Sequence, residues 1–331
     1  YQNVCDGKFM AGTLKIAVPA DDLQLFSRGP HLSALQELAE VTVYPDLPSS
    51  LDEQIDRSNS AEIIVASSSS LSWPAVAFES LPKLKMFASA TIGTDSIDLM
   101  AASAVGAIVC NVPGKTSPVV AEHALALMLA MSRNLSFYTT AIRNNEWPNV
   151  YGTYLAGKTL GVLGTGNSGT HLAKLAKGIG MNVIAWTFNP SIQKEREIGI
   201  KFVKFQELLS MSDVLSIHVR LSDQTKLLIG EKELDTMRPG AYLINVARAG
   251  IVDTLALVDA LNSGHLAGAG IDVFDTEPLP KQHPLLNCEN VILTPHRADN
   301  TPEGMGFLAD GVLENIRAYL SGNPQNIVTP I

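Results

Sequence analysis

The sequence predicts an α/β protein of two doubly wound parallel sheets joined by interdomain helices. Three observations carry that expectation. Short apolar strands alternate with amphipathic helical stretches along most of the chain, the pattern of parallel strands linked by crossover helices. The alternation forms two series, one ending near 116 and one starting near 159, with a long helical stretch between them. Most strands of the second series are uniformly apolar, as strands buried on both faces must be. With 331 residues, 46% hydrophobic and 17% charged, the chain has material for two cores.

Taken in order, residues 1–13 read as a tail ahead of the first strand. Strands are expected at "LKIAV" from 14, "AEIIVAS" from 61, "KMFASA" from 85 and "AIVCN" from 107, with helices over "LSALQELAE" and "DSIDLMAASAVG". Ser117 to Glu146 reads as one long, mostly helical segment. The second series is "TLGVLG", "NVIAWT", "VLSIHV", "AYLINVA", "LAGAGIDVF" and "NVILTPH", and a helix from Pro302 to Ser321 precedes "GNPQNIVTPI". The first domain takes residues 1–116 and 297–331, and the second takes 117–296. No low-complexity linker separates them, so packed helices that hinge are expected at the crossings.

A formal net charge of -9 argues against nucleic acid or an anionic membrane as a general partner. Cys5, Cys110 and Cys288 form no CxxC pair, so no disulfide framework or structural zinc is expected, and a reducing cytoplasm is the simplest setting. The longest apolar run, within Val119 to Met131, contains Glu122 and His123 and is too short to span a bilayer.

"GTGNSG", Gly164 to Gly169, follows an apolar strand and opens a helix with Leu172, Leu175, Ala176 and Ile179 on one face. In that context GxGxxG reads as a dinucleotide loop. Gly164 permits the tight turn, Gly166 lets the backbone approach a pyrophosphate, and Gly169 lets helix and strand pack closely. Thr165, Asn167 and Ser168 complete the loop, and the amides of the helix start face the phosphates. NAD sites usually place a carboxylate about 20 residues further on, against the adenine ribose. Here the second strand ends in Trp186-Thr187-Phe188-Asn189, with no acid. Thr187, Asn189 and Ser191 can donate to phosphate oxygens, and Lys194 or Arg196 can add charge. Asn189 equally suits a ribose hydroxyl. The balance favours NADP over NAD.

Three later strands end in polar residues: Arg248 in "INVARAGIVD", Asp272 and Glu277 in "GIDVFDTEPLP", and His296 in "LTPHRAD". Ligands of open α/β sheets gather at the carboxyl ends of strands. Arg248 offers a planar fork for a carboxylate and the carbonyl beside it. His296 suits proton donation to a carbonyl oxygen as hydride reaches its carbon. A carboxylate such as Glu277 beside the imidazole favours its charged form. No metal is needed.

The glycine loop, "NVARAGIVD", "DVFDTEPLP" and "TPH" together resemble the D-isomer-specific 2-hydroxyacid dehydrogenases. The resemblance extends through "GTDSIDLMAASAVGAIVCNVPG" and "VAEHALALMLAMSRN", from about 85 to 322. It implies two Rossmann-like domains, the discontinuous one flavodoxin-like and substrate-binding, a homodimer built around the coenzyme domain, and catalysis by Arg248, Glu277 and His296. It also implies that the backbone at Ile92 and Gly93 holds the substrate carboxylate with Arg248. Asp272 would bind the nicotinamide carboxamide, and Ser117 would lie near that ring. Further coenzyme contacts are expected from Phe188, from His218, Val219 and Arg220, from Val246 and Ala247, and from Ala298 beside His296.

The chain departs from the family at Ala249, where Gly is usual, and at Ser168, where an aliphatic residue is. Arg220 stands where Pro is common, and Arg297 where an apolar residue is. The leading functional reading is a reductase of a small 2-oxo acid such as glyoxylate or hydroxypyruvate. Phosphoglycerate oxidation and a dinucleotide-sensing, corepressor-like scaffold are the alternatives. His123 and His171 read as packing or surface residues, and His265 as a turn residue. His218 reads as an adenine-side contact or a structural residue. His283 is a candidate cleft residue, and Trp147 and Tyr151 read as a cover for the active site or a filler of the domain seam.

Overall fold

The computed structural model describes residues 14–68 and 70–330. The tail read at 1–13, with Cys5, lies outside the described residues. The chain divides into two compact units: one ends at Thr116 and resumes at Thr301, and the other is Ser117–Asn300.

The first unit holds strands β1 (Lys15–Val18), β2 (Glu40–Val43), β3 (Ile63–Ala66), β4 (Met86–Ser89) and β5 (Ile108–Cys110). They form a parallel sheet in the order β2-β1-β3-β4-β5. Side chains alternate between its faces, as strand geometry requires. Ile16, Val18, Ile63, Val65 and Met86 pack with Leu308, Val312 and Ile316 of the helix Pro302–Leu320. On the other face Ala17, Ile64, Phe87 and Val109 pack with Trp73 and Phe78. Each such aliphatic side chain, once fully buried, contributes about 1.5–3 kcal/mol.

The second unit holds β6 (Thr159–Leu163), β7 (Asn182–Trp186), β8 (Lys201–Phe202), β9 (Val214–Ile217), β10 (Ala241–Asn245), β11 (Leu266–Ile271) and β12 (Val291–Leu293). All pair in parallel, in the order β12-β11-β10-β9-β6-β7-β8. The winding reverses between β6 and β9, and that switch point is where a crevice opens at the strands' carboxyl ends. Leu160, Val162, Val183 and Ile244 face the helices Ser117–Ser132 and Asn167–Gly178, while Leu163, Leu215, Ile217 and Leu243 pack on the opposite side.

Two local expectations need correction, and the two edge strands carry no strand signal in the sequence. The helix read over "LSALQELAE" is only Pro30–Gln36, and Glu40 already opens β2. β2 escaped notice because, as an edge strand, it alternates exposed and half-buried residues. β8, also at an edge, has only two residues. Ser117–Glu146 is mostly helical as read, in two helices, Ser117–Ser132 and Leu135–Arg143, separated where Asn134 turns left-handed at φ 52°. On the helix after the glycine loop, Leu172, Ala173 and Ala176 are buried but Leu175 is 37% exposed. Among the described residues no helix is long and apolar enough to cross a membrane.

Candidate active site

β6 runs into Gly164, whose φ of 100° is open to glycine alone. A Cβ there would lie 2.8 Å from the Val219 amide nitrogen, and one on Gly169 would lie 2.1 Å from the Gly164 carbonyl oxygen. Both contacts are with backbone, so the tight turn and the close seating of helix on strand depend on glycine. Gly166 differs: a Cβ there meets nothing within 4 Å, and space is left before the first turn of the twelve-residue helix Asn167–Gly178. Unpaired amides facing open room make a cradle that fits a pyrophosphate. Gly164 N donates to Trp186 O at 2.8 Å, which sets the end of β7 beside the loop. Thr187 is half-buried there, and Phe188 and Asn189 are exposed.

β10 ends in Asn245, 2% exposed, whose side chain shapes the following turn. Its Nδ2 donates to Arg248 O at 3.0 Å and its Oδ1 accepts from Ala247 N at 3.0 Å. Val246 is buried in that turn. Arg248 is half-buried on extended backbone, and its Nη1 donates to Ala247 O at 2.8 Å.

Glu277 and His296 come together although 19 residues apart. His296 Nδ1 lies 2.8 Å from Glu277 Oε2, and Glu277 Oε1 accepts the Phe274 amide at 3.0 Å. The carboxylate is thus pinned at one oxygen and presents the other to the ring. With Nδ1 engaged, Nε2 is the nitrogen left to work. His296 itself holds a left-handed φ of 52°, its amide donating to Thr294 O at 3.0 Å.

Asp272, at the end of β11, is fully buried. It accepts Thr294 Oγ1 at 2.6 Å, Arg297 N at 2.9 Å and Ala298 N at 3.0 Å. Burial pushes its pKa up, but the His123 imidazole at 3.6 Å and these donors outweigh it and hold the carboxyl below the usual range. Asp272 thereby grips both sides of the His296 turn and keeps Arg297 and Ala298 with the second unit. His123, read as a packing or surface residue, belongs to this cluster: its Nε2 lies 3.0 Å from Thr294 Oγ1. Its partners Asp272 and Thr294 lie 149 and 171 residues on in the sequence, so no local pattern could reveal them.

In the first unit, the loop after β4 is held by its carbonyls. Thr91 O accepts Val112 N at 3.2 Å, Ile92 O accepts Asn111 Nδ2 at 2.7 Å, and Gly93 O accepts Thr91 Oγ1 at 2.7 Å. In a planar trans peptide the N–H points opposite to the C=O. The amides of Ile92, Gly93 and Thr94 therefore face away from those anchors, as a concave donor surface for an anion would require.

Comparison with known proteins matches residues 125–298 to the family described as D-isomer specific 2-hydroxyacid dehydrogenase, NAD binding domain. A glyoxylate reductase of Thermococcus litoralis is 41% identical over 260 residues, covering 76% of this chain and 78% of its own. The chain belongs to the D-isomer specific 2-hydroxyacid dehydrogenase family. A D-3-phosphoglycerate dehydrogenase of Methanocaldococcus jannaschii is 37% identical over 303 residues, covering 90% of this chain but 57% of that longer protein. The solved glyoxylate reductase of Paecilomyes thermophila superimposes with a TM-score of 0.85 at 30% identity, covering 96% of this chain and 98% of that one. The protein is thus an NAD(P)-dependent D-2-hydroxyacid dehydrogenase with the two parallel-sheet α/β units of its family.

Other residues singled out in this dehydrogenase find varied places. His218, at the exit of β9, bridges Ser216 Oγ (2.8 Å) and Ser168 Oγ (3.2 Å), so the unusual Ser168 ties the glycine loop to the neighbouring strand. Burial pushes the His218 pKa down to about 4. Arg220 is exposed, and Ser117 is buried at the start of its helix. His265 bonds to the carbonyls of Leu234 and Met237, a structural turn contact. His283 accepts Leu285 N at 3.4 Å and packs edge-on to Phe274. Trp147 and Tyr151 are 89% and 95% exposed.

Proposed function

We propose that this dehydrogenase reduces a small 2-oxo acid of the glyoxylate or hydroxypyruvate kind to its D-2-hydroxy acid, with NADP(H) preferred over NAD(H). The dihydronicotinamide, when bound, supplies a hydride to carbon 2. This chain's residues do the rest. The Arg248 guanidinium binds the carboxylate and draws electron density onto the carbonyl oxygen. The His296 Nε2 proton goes to that oxygen as the C–O double bond opens. Glu277 holds the opposite ring nitrogen and offsets the charge of the protonated ring. The amides of Ile92 and Gly93 donate to the substrate carboxylate, and the buried Asp272, its oxygens taken by Thr294, Arg297 and Ala298, holds the turn that carries His296 rather than meeting the coenzyme itself.

One observation carries this reading: His296 Nδ1 at 2.8 Å from a carboxylate that is itself pinned to Phe274 N. A carboxylate pinned at one oxygen and turned to an imidazole nitrogen with the other is an arrangement that orients a proton-donating ring. A kinetic matrix tests it: NADH and NADPH against glyoxylate, hydroxypyruvate, phosphohydroxypyruvate and a bulkier 2-oxo acid, followed at the nicotinamide absorbance. The small unphosphorylated acids with NADPH should give the highest kcat/KM. A clear preference for phosphohydroxypyruvate would move the assignment to phosphoglycerate oxidation. Coenzyme binding without turnover on any acid would favour a sensor.

We further propose a homodimer. Trp147, Tyr151 and Tyr154, the last 78% exposed, form an apolar stretch whose burial by a second copy would be favourable. Light scattering reads the mass directly.

A further inference from the structure

We infer that Lys194 reads the 2′-phosphate of NADP(H), making it the residue that sets coenzyme preference. The inference rests on the dinucleotide reading of Gly164–Gly169 and goes beyond it to a side chain and a ligand group. Lys194 Nζ donates to the carbonyl of Thr165, the residue just after Gly164. Its ammonium therefore sits on the rim of the glycine loop. The loop's neighbour is the end of β7, through Gly164 N and Trp186 O. That corner of a doubly wound sheet is where the adenine ribose lies and where NAD sites place a carboxylate.

Here the local charge is reversed. No Asp or Glu occurs between Trp186 and Lys194. The two acids that follow are committed elsewhere: Glu195 Oε1 accepts Phe202 N at 2.7 Å, and Glu197 Oε1 accepts Gln193 Nε2 at 2.7 Å. Among the described residues no carboxylate is bonded to Lys194, and its ammonium holds only a neutral carbonyl. Three donors on a flexible stem can exchange that carbonyl for a phosphate dianion, a stronger, charge-assisted partner. An unphosphorylated ribose offers no such exchange. Lys194 thus distinguishes the coenzymes by charge, where Thr187 and Asn189 offer only neutral hydrogen bonds.

The test is direct binding by coenzyme fluorescence, on wild type, Lys194→Met and Lys194→Arg, with thermal melting as a check on folding. Lys194→Met should weaken NADPH about 10- to 100-fold, the range of a lost hydrogen bond to a charged group, and leave NADH within about twofold. Lys194→Arg should recover most of the NADPH loss. 2′-AMP should displace NADH from wild type but not from Lys194→Met. An equal loss for both coenzymes would reduce Lys194 to a prop for the Thr165 carbonyl, and an unchanged NADPH affinity would end the inference. If Lys194→Met melts early, Lys194→Gln is read in its place. Wild type that binds neither coenzyme would overturn the dinucleotide reading itself, an outcome distinct from either.

Discussion

The crests of the two sheets are built from different materials. Both sheets are parallel and doubly wound, and in both the loops of interest leave the carboxyl ends of strands. The first sheet presents backbone: Thr91 to Thr94, its carbonyls tied down by Val112, Asn111 and Thr91 itself. The second presents side chains, Arg248, Glu277 and His296, each set by bonds to neighbouring backbone. Amides carry partial charge that no pH can remove, so they suit holding an anion. Imidazole and carboxylate exchange protons, so they suit chemistry. On the proposed function, then, damage to the first crest should appear in KM and damage to the second in kcat.

His296→Asn is the largest test of that division. Asn tolerates the left-handed backbone that His296 occupies at φ 52°, so the loop should keep its course. The amide cannot deliver a proton, and turnover should fall about 10²- to 10⁴-fold, with the NADPH dissociation constant little changed. Turnover near that of wild type would mean that the proton comes from elsewhere, and the division by crest would lose its second half.

Asn111→Ala probes the other crest. It removes the bond from Nδ2 to Ile92 O while leaving the Asn111 backbone, whose carbonyl accepts Asn315 Nδ2 at 2.7 Å. The Ile92–Gly93 peptide would then be free to rotate its amide away. KM for the 2-oxo acid should rise about 10-fold, as for a lost hydrogen bond to a charged group, with kcat within about threefold in steady-state assays. A fall in kcat as deep as that of His296→Asn would break the comparison outright.

The two crests were also unequally legible. Uniform apolar runs announced β6, β9 and β10, because burial on both faces leaves only one kind of sequence. The loop glycines were legible for a related reason: a 2.1 Å approach to the Gly164 carbonyl oxygen admits nothing larger at 169. Edge strands β2 and β8 were not, since half-exposed residues need no hydrophobic signature. Nor was the role of His123, whose partners Asp272 and Thr294 reach it only through the winding of the sheet. The Thr91–Thr94 donor surface has no sequence signature at all beyond resemblance to the family. It is made of atoms every residue carries, and only the anchoring of the carbonyls turns the amides outward.

The smallest expected effect sharpens the contrast, because a crest of side chains brings a pH liability that a crest of backbone does not. His218, between Ser216 and Ser168 behind the glycine loop, has its pKa pushed down by burial from 6.5 to about 4. In that range the unfolded chain binds the proton and the folded chain does not. Stability therefore rises with pH where the unfolded state holds more protons. The contribution of the neutral, half-buried imidazole is complete above about pH 6.5 and is lost progressively as pH falls toward about 4, with a slope of at most about 1.4 kcal/mol per pH unit. His218→Gln keeps a donor and an acceptor but cannot titrate. Urea midpoints measured between pH 6.5 and 4.5 should fall less steeply for His218→Gln than for wild type. Parallel curves would show that His218 already carries its proton in the folded protein, and the bridge from Ser216 to Ser168 would then be a link between a cation and two hydroxyl acceptors.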